Sequence, residues 1–268
     1  MGTQAPMNLP ESLPPEFAES LARAADRLGT FAQPIFWYAT VPSTNDVAAL
    51  LAERGAPEGC AVAAHAQSAG RGRHGRSWAS PPAAGIYVSV VLRPPRDTVR
   101  ALTIAAGVAV AEGIDAATGL DVALKWPNDV YAGDRKLAGV LAEAADGLAY
   151  VILGIGINVM PAAYPADVAA RATSLEEELG RAVDRGLLLA ECLAALARRY
   201  ADLQGGRDAA VIEAWRRRAA RTLGRRVRWE AAGSVAEGVA ETIDAAGALV
   251  VRTSAGLVTV TAGEVTWI

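Results

Sequence analysis

The chain has 268 residues, 52% hydrophobic, 21% charged and 6% aromatic, a globular composition that excludes extended disorder and is long enough for one large domain plus a small one. A formal net charge of −3 excludes whole-chain attraction to nucleic acid or to an anionic membrane, so any polyanion site must be local. Two distant cysteines, Cys60 and Cys192, exclude a disulfide framework and a thiolate metal site, and read as free thiols in a reducing cytoplasm.

The first 15 residues carry four prolines and no basic start followed by an apolar run, so neither secretion nor membrane insertion is expected. Residues 16–29 have helical spacing and stop at Gly29, giving an N-terminal extension over residues 1–30. Residues 34–41 read as a strand, and residues 43–55 as a helix with polar N-cap candidates from Ser43 to Asp46 and a C-terminal Gly55. A second strand covers 60–67. The Gly, Arg, Ser and Pro-rich loop over 68–85 is long for a compact domain, which marks it as functional.

A strand resumes after that loop, and residues 99–119 form an apolar helix ending at Gly119. The strand over 122–129 stops at Pro127, and a turn at 132–135 reverses the chain into a strand beginning at Lys136. In such a hairpin Lys125 and Lys136 lie on adjacent strands and face one pocket. Another strand covers 148–159, and two amphipathic helices follow Pro165. From Arg225 short alternating segments separated by glycine predict a small barrel. The division is residues 1–30, 31–222 and 223–268.

Several stretches carry chemistry. Residues 70–78, GRGRHGRSW, satisfy the spacing of a dinucleotide fingerprint, but a strand follows where a phosphate-binding helix is required. What remains is a flexible backbone presenting Arg71, Arg73 and Arg76 to carboxylate or phosphate oxygens, flanked by the Gln67 amide and the Trp78 indole. KWPND, from Lys125 to Asp129, sets a cation, an amide and a carboxylate where a strand ends. Of the 26 basic residues only Lys125 and Lys136 are lysines, so a compact ammonium is kept for two nearby positions in an Arg-rich chain. GIGIN, ending at Asn158, adds glycines that permit close approach of a ligand.

Taken in order, STN at 43–45, Gln67, GRGRHGRSW, KWPND, KLAG at 136–139 and GIGIN resemble the biotin protein ligases, over about residues 37–159. The resemblance implies an α+β fold: a catalytic domain with a mixed, largely antiparallel sheet backed by helices, of the class II aminoacyl-tRNA synthetase-like type, plus a small C-terminal SH3-like β-barrel. It implies an enzyme that uses ATP, Mg²⁺ and biotin, forms biotinyl-AMP, and biotinylates a lysine of a biotin carboxyl carrier protein. Ser43, Thr44, Asn45, Gln67, Gly70, Arg71, Arg73, Lys136 and Gly139 would line the biotin site. Arg71, Arg73, Arg76, Trp78, Lys125, Asn128, Lys136 and Asn158 would meet the nucleotide. Arg73, Lys136, Lys125 and Asp129 would be catalytic, Asp129 where the acceptor lysine arrives. Magnesium would come with ATP, with no metal fixed by the protein.

The stretch before Phe36 is too short for the helix-turn-helix repressor module of some members, so no DNA binding and no membrane partner are expected. Arg252 is the candidate for an arginine that some members place near the nucleotide from the C-terminal segment. The resemblance leaves monomer and homodimer both open. The rival readings are a lipoate ligase-like acyl transfer and a non-catalytic biotin or nucleotide sensor.

Overall fold

The structure, a computed structural model, describes residues 9–127, 129–162, 164, 166–231, 234–263 and 265–268. Helix α1 (Pro15–Arg23) opens on a proline, which suits the first turn because it has no N–H to leave unpaired. The helix expected over 16–29 ends earlier, and two 3-10 turns, Ala25–Arg27 and Gly29–Phe31, complete the segment. They set Phe31 beside Tyr200, ring centroids 6.1 Å apart, a tertiary contact that outweighs the weak preference of a short helix to propagate. Phe17 is buried against Trp37, 5.1 Å between centroids, so this N-terminal segment is part of the main core.

Strands β1 (Ile35–Val41) and β2 (Ala61–Gln67) pair in parallel and are connected by helix α2 (Thr44–Glu53). Strand β3 (Gly85–Leu92) returns antiparallel to β2. Helix α3 (Val99–Thr118) ends at Gly119 in the left-handed conformation, where a side chain would be strained. Strands β4 (Ala123–Lys125), β5 (Asp129–Ala132), β6 (Arg135–Ala144) and β7 (Val151–Asn158) follow. The sheet order is β1-β2-β3-β7-β6-β5-β4, with β1 and β2 the parallel pair. This is the mixed, largely antiparallel sheet expected.

One expectation is corrected. Lys125 and Lys136 are not on adjacent strands: β5 lies between β4 and β6, with Asp129 opposite Lys125 and Tyr131 opposite Lys136. The cause is Trp126 and Pro127, which turn the chain, so that β5 pairs on one side with β4 and on the other with β6.

Helices α4 (Ala166–Ala169), α5 (Leu175–Leu179), α6 (Arg185–Gln204) and α7 (Asp208–Arg218) complete the larger unit. By length and composition α3 is apolar enough to cross a membrane, but two-thirds of that stretch (67%) is buried inside the fold, as the central helix against which α6 packs. All eight residues of β3 are buried, because α3 and α6 cover one face of the sheet and α2 the other, which is why the strand reads as an apolar run.

The C-terminal strands β8 (Arg226–Ala231), β9 (Ser234–Ile243), β10 (Leu249–Thr253), β11 (Gly256–Val260) and β12 (Val265–Trp267) form an antiparallel sheet ordered β11-β10-β9-β8-β12. Their inner residues Val227, Ile243, Leu249 and Val251 belong to the same buried cluster as α3 and α7. Polar ties cross the junction: Trp126 Nε1 donates to Gly247 O at 2.8 Å and Thr222 Oγ1 to Leu124 O at 2.9 Å. Cys60 and Cys192 are both buried and free. Burial pushes the Cys192 thiol up to about 12, which leaves it inert.

Candidate active site

Side chains alternate between the two faces of a strand. In β7, Ile155 and Ile157 therefore enter the core while Gly154 and Gly156 face the other way. Gly156 lies opposite Gly139 of β6, and the three glycines make a floor without side chains. Trp78 lies on it: a Cβ built at Gly156 would stand 2.5 Å from the indole, and one at Gly139 would stand 3.1 Å from it. Asn45 occupies the space over Gly154. The KLAG and GIGIN motifs thus supply flat backbone on which an aromatic ring and an amide rest.

The loop over 68–85 is not irregular. Gln67 N donates to Ser80 O (3.1 Å), Trp78 N to Gly70 O (2.8 Å) and Gly72 N to Arg76 O (2.7 Å), closing a narrow hairpin. Its tip turns through His74 and Gly75, both at positive φ. His74 is exposed. This hairpin lays Arg71, Arg73, Arg76 and Trp78 along a groove whose other wall carries Ser43, Thr44, Asn45 and Gln67.

A continuous polar chain runs along that wall. Gln67 Nε2 donates to Ser80 Oγ (2.7 Å), while its Oε1 accepts from Thr44 N (2.8 Å) and Thr44 Oγ1 (3.1 Å). Ser89 Oγ lies 2.7 Å from Thr44 Oγ1 and donates to Asn45 Oδ1 at 2.5 Å. Asn45 Nδ2 donates to Glu143 (2.5 Å), and Arg71 bridges Glu143 and Asp46, both at 2.7 Å. The buried members of this polar chain, Thr44, Asn45, Ser80 and Ser89, hold one geometry, since any of them displaced is left unpaired.

At the other end Lys136 Nζ stands 2.6 Å from Asp129 Oδ1 and 5.4 Å from the centre of the Trp78 ring. The Asp129 contact has ion-pair distance without hydrogen-bond alignment. The Lys136 backbone is clamped, its N–H donating to Arg171 O (2.7 Å) and its carbonyl accepting from Thr173 N (3.0 Å). Asn158, 5% exposed, donates to Thr173 O at 2.9 Å, so it reaches Lys136 through the 171–173 segment and does not line the groove. Trp78 Nε1 is buried with no hydrogen-bond partner among the described residues, an uncommon state for a buried donor.

The groove brings together Ser43, Thr44, Asn45, Gln67, Arg71, Arg73, Arg76, Trp78, Lys125, Asp129, Lys136 and Gly139. Gly70 lies beneath the loop, where a Cβ would stand 2.5 Å from Trp78 O. Asn128 lies outside the described residues. Arg252 is 61% exposed and pairs with Glu241 on the outer face of the C-terminal sheet, and does not line the groove. The C-terminal contribution comes instead from Val265, which lines the groove, and from Gly263 O, which accepts from Arg73 Nη2 at 3.2 Å. Sequence reasoning missed Ser80, Ser89, Asp46, Glu143 and Val265. Ser89 alone left a signal, as the one polar residue inside the apolar run of β3.

Residues 37–158 match the Biotin/lipoate A/B protein ligase family, and residues 222–266 match the biotin protein ligase C terminal domain. The chain is 38% identical over 231 residues to a biotin--[acetyl-CoA-carboxylase] ligase of Mycobacterium tuberculosis, covering 83% of this chain and 85% of that protein. It is 35% identical to the bifunctional ligase/repressor BirA of Bacillus subtilis over 70% of this chain, spanning only 60% of that protein. Among solved structures, a biotin protein ligase from Aquifex aeolicus in complex with biotin and ATP superimposes with TM-score 0.76 at 28% identity, over 88% of this chain and 99% of that one.

Proposed function

The chain belongs to the biotin protein ligase family, and from that premise we propose that it activates biotin with ATP and transfers the biotinyl group to a lysine of a carrier domain of an acetyl-CoA carboxylase or a related carboxylase, in the cytoplasm. One observation carries this reading: among the described residues five cations, Arg71, Arg73, Arg76, Lys125 and Lys136, line the groove against one lining carboxylate, Asp129, and even with Asp46 and Glu143, both held by Arg71, the cations outnumber the carboxylates. That excess fits a polyanion beside a carboxylate. Magnesium would come bound to ATP and would supply charge neutralisation on the phosphates.

In the first step a biotin carboxylate oxygen attacks the α-phosphorus of ATP and the bond to pyrophosphate breaks. No protein nucleophile is required, so the chain's task is to bring two anions together and to stabilise charge on the phosphoryl oxygens. Lys136 and Arg73 serve the reacting carboxylate and α-phosphate, and Lys125 serves the remaining phosphates. Ser43, Thr44, Asn45 and Gln67, with Thr44 and Asn45 backed by the buried Ser89, offer fixed hydrogen-bonding groups for a neutral polar ring. In the second step the unprotonated acceptor amine attacks the acyl carbon and AMP leaves, with the amine proton passing to a base. Asp129, held beside Lys136, is the groove carboxylate in position to orient that amine. The hairpin over 70–78 covers the anhydride and excludes water.

The test is to mix the chain with biotin, MgATP and a biotin carboxyl carrier domain. Release of pyrophosphate with biotin alone, followed by labelled carrier, is the expected result. Transfer of lipoate in preference to biotin, or binding without pyrophosphate release, overturns it.

A further inference from the structure

Beyond the arginine loop, the C-terminal strand touches the site at a second place. Lys125 Nζ stands 4.7 Å from the centre of the Trp267 ring and 5.6 Å from that of Tyr131. The two rings pack at 5.4 Å with a 46° tilt, forming an aromatic corner around one ammonium. Arg225 also stacks on Trp267, at 4.5 Å. Trp267 is held in place by β12, paired with Val227 of β8, and its buried Nε1 has no acceptor among the described residues. An indole so placed contributes its π face rather than its donor.

We propose that Trp267 is a positioning residue for adenylation: its ring holds the Lys125 ammonium at the edge of the groove, poised for the ATP phosphates. A lysine is a compact charge on a flexible four-carbon stem, and fixing it against phosphate costs rotamer freedom at the moment of binding. An aromatic face within about 6 Å attracts the cation and removes part of that cost beforehand. Trp126, next in the chain, is tied to Gly247 of the C-terminal sheet, so both ends of the Lys125–Trp126 step are set by the small sheet. The C-terminal unit thereby acts on catalysis by orienting a lysine.

This inference rests on the proposed ligase activity, and two readouts separate the two. The chain has only two lysines, so lysine-labelled protein gives two sets of ε-methylene NMR signals, assigned with Lys125→Ala. The Lys125 set should be shifted upfield by the Trp267 ring in the wild type and relax toward the unstructured position in Trp267→Leu; an unshifted wild-type set overturns the clamp whatever the reaction. In single-turnover pyrophosphate release, Trp267→Leu should lower kcat/KM for ATP about tenfold and leave biotin affinity unchanged, while Trp267→Phe recovers most of the loss. In the Lys125→Ala background Trp267→Leu should cost nothing more. Wild-type kinetics for Trp267→Leu, or a full tenfold loss on top of Lys125→Ala, overturns the positioning role. A shifted Lys125 signal with no pyrophosphate release by the wild type leaves the clamp standing and overturns the ligase reading.

Discussion

Two arginine–carboxylate clusters in this molecule use the same chemistry to different ends. On the helical side, Glu112 of α3 is gripped by Arg198 and Arg199 of α6, and Arg199 also meets Asp202. The Glu112, Arg199 and Asp202 side chains are only 13–17% exposed. In the groove, Arg71 bridges Asp46 and Glu143 with all three side chains 39–50% exposed. The first cluster ties two packed helices together, so losing one partner strands a charge out of water. The second joins a hairpin to the groove wall with water close by, where an ion pair is worth little, so a ligand anion can replace those carboxylates cheaply. Burial, rather than bond length, separates a structural pair from an exchangeable one.

If that distinction holds, groove substitutions should register in rate and helix substitutions in stability. The largest effect is expected from Lys136→Ala, which should lower the single-turnover rate of adenylate formation by at least about a thousandfold while leaving the melting temperature close to wild type. A wild-type rate would remove Lys136 from the chemistry. Next, Arg199→Ala should destabilise the fold by about 3 kcal/mol in urea unfolding, with the rate per folded molecule unchanged; a loss of rate without loss of stability would invert the comparison.

The pH dependence sharpens it further. Burial alone would raise the Glu112 carboxyl, but hydrogen bonds and charge from Arg199 and Arg198 overcome this and hold it below the ordinary value near 4.5. A lowered folded-state value contributes stability that is present above 4.5 and lost as pH falls through the folded value. Wild-type unfolding free energy should therefore drop below pH 4.5, and Arg199→Ala should flatten that drop; parallel acid curves would show that the pair is not coupled to folding.

A smaller change is expected for Arg71→Gly, which frees the hairpin from Asp46 and Glu143. Adenylate should form within about tenfold of the wild-type rate, yet appear free in the medium, as chromatography of the quenched reaction would show. Adenylate retained as tightly as in the wild type would mean that Arg71 does not close the groove. Least of all, Arg252→Ala on the exposed outer face should alter stability by less than about 0.5 kcal/mol and leave the rate unmoved.

Much of the groove was legible because its motifs sit at strand ends and in a glycine-rich hairpin, where residue type and backbone constraint coincide. Gly139 and Gly156 had to be small for the Trp78 ring to lie flat on them, and the loop's arginines have few roles beyond meeting anions. Glu143 and Asp46 were not legible, since a carboxylate on a strand or in a first helical turn is ordinary in any soluble chain. Asn158 was legible as a polar residue after glycines, but its direction was not: it turns to Thr173 and supports Lys136 from behind.

The sequence by itself determined most of the element order, the glycines that leave room beside β7 and the concentration of cations near one groove, although residues 122–129 read as one strand where the chain forms β4 and the start of β5. These follow from local periodicity and from chemistry confined to short segments. Tertiary structure alone decided that β5 separates the two lysines, that Arg252 faces away, and that Trp267 meets Lys125 from the far end of the chain. The Lys125–Trp267 contact joins distant parts of the chain and depends on how the two sheets dock, while the place of β5 and the outward turn of Arg252 depend on strand register, and no local periodicity encodes either.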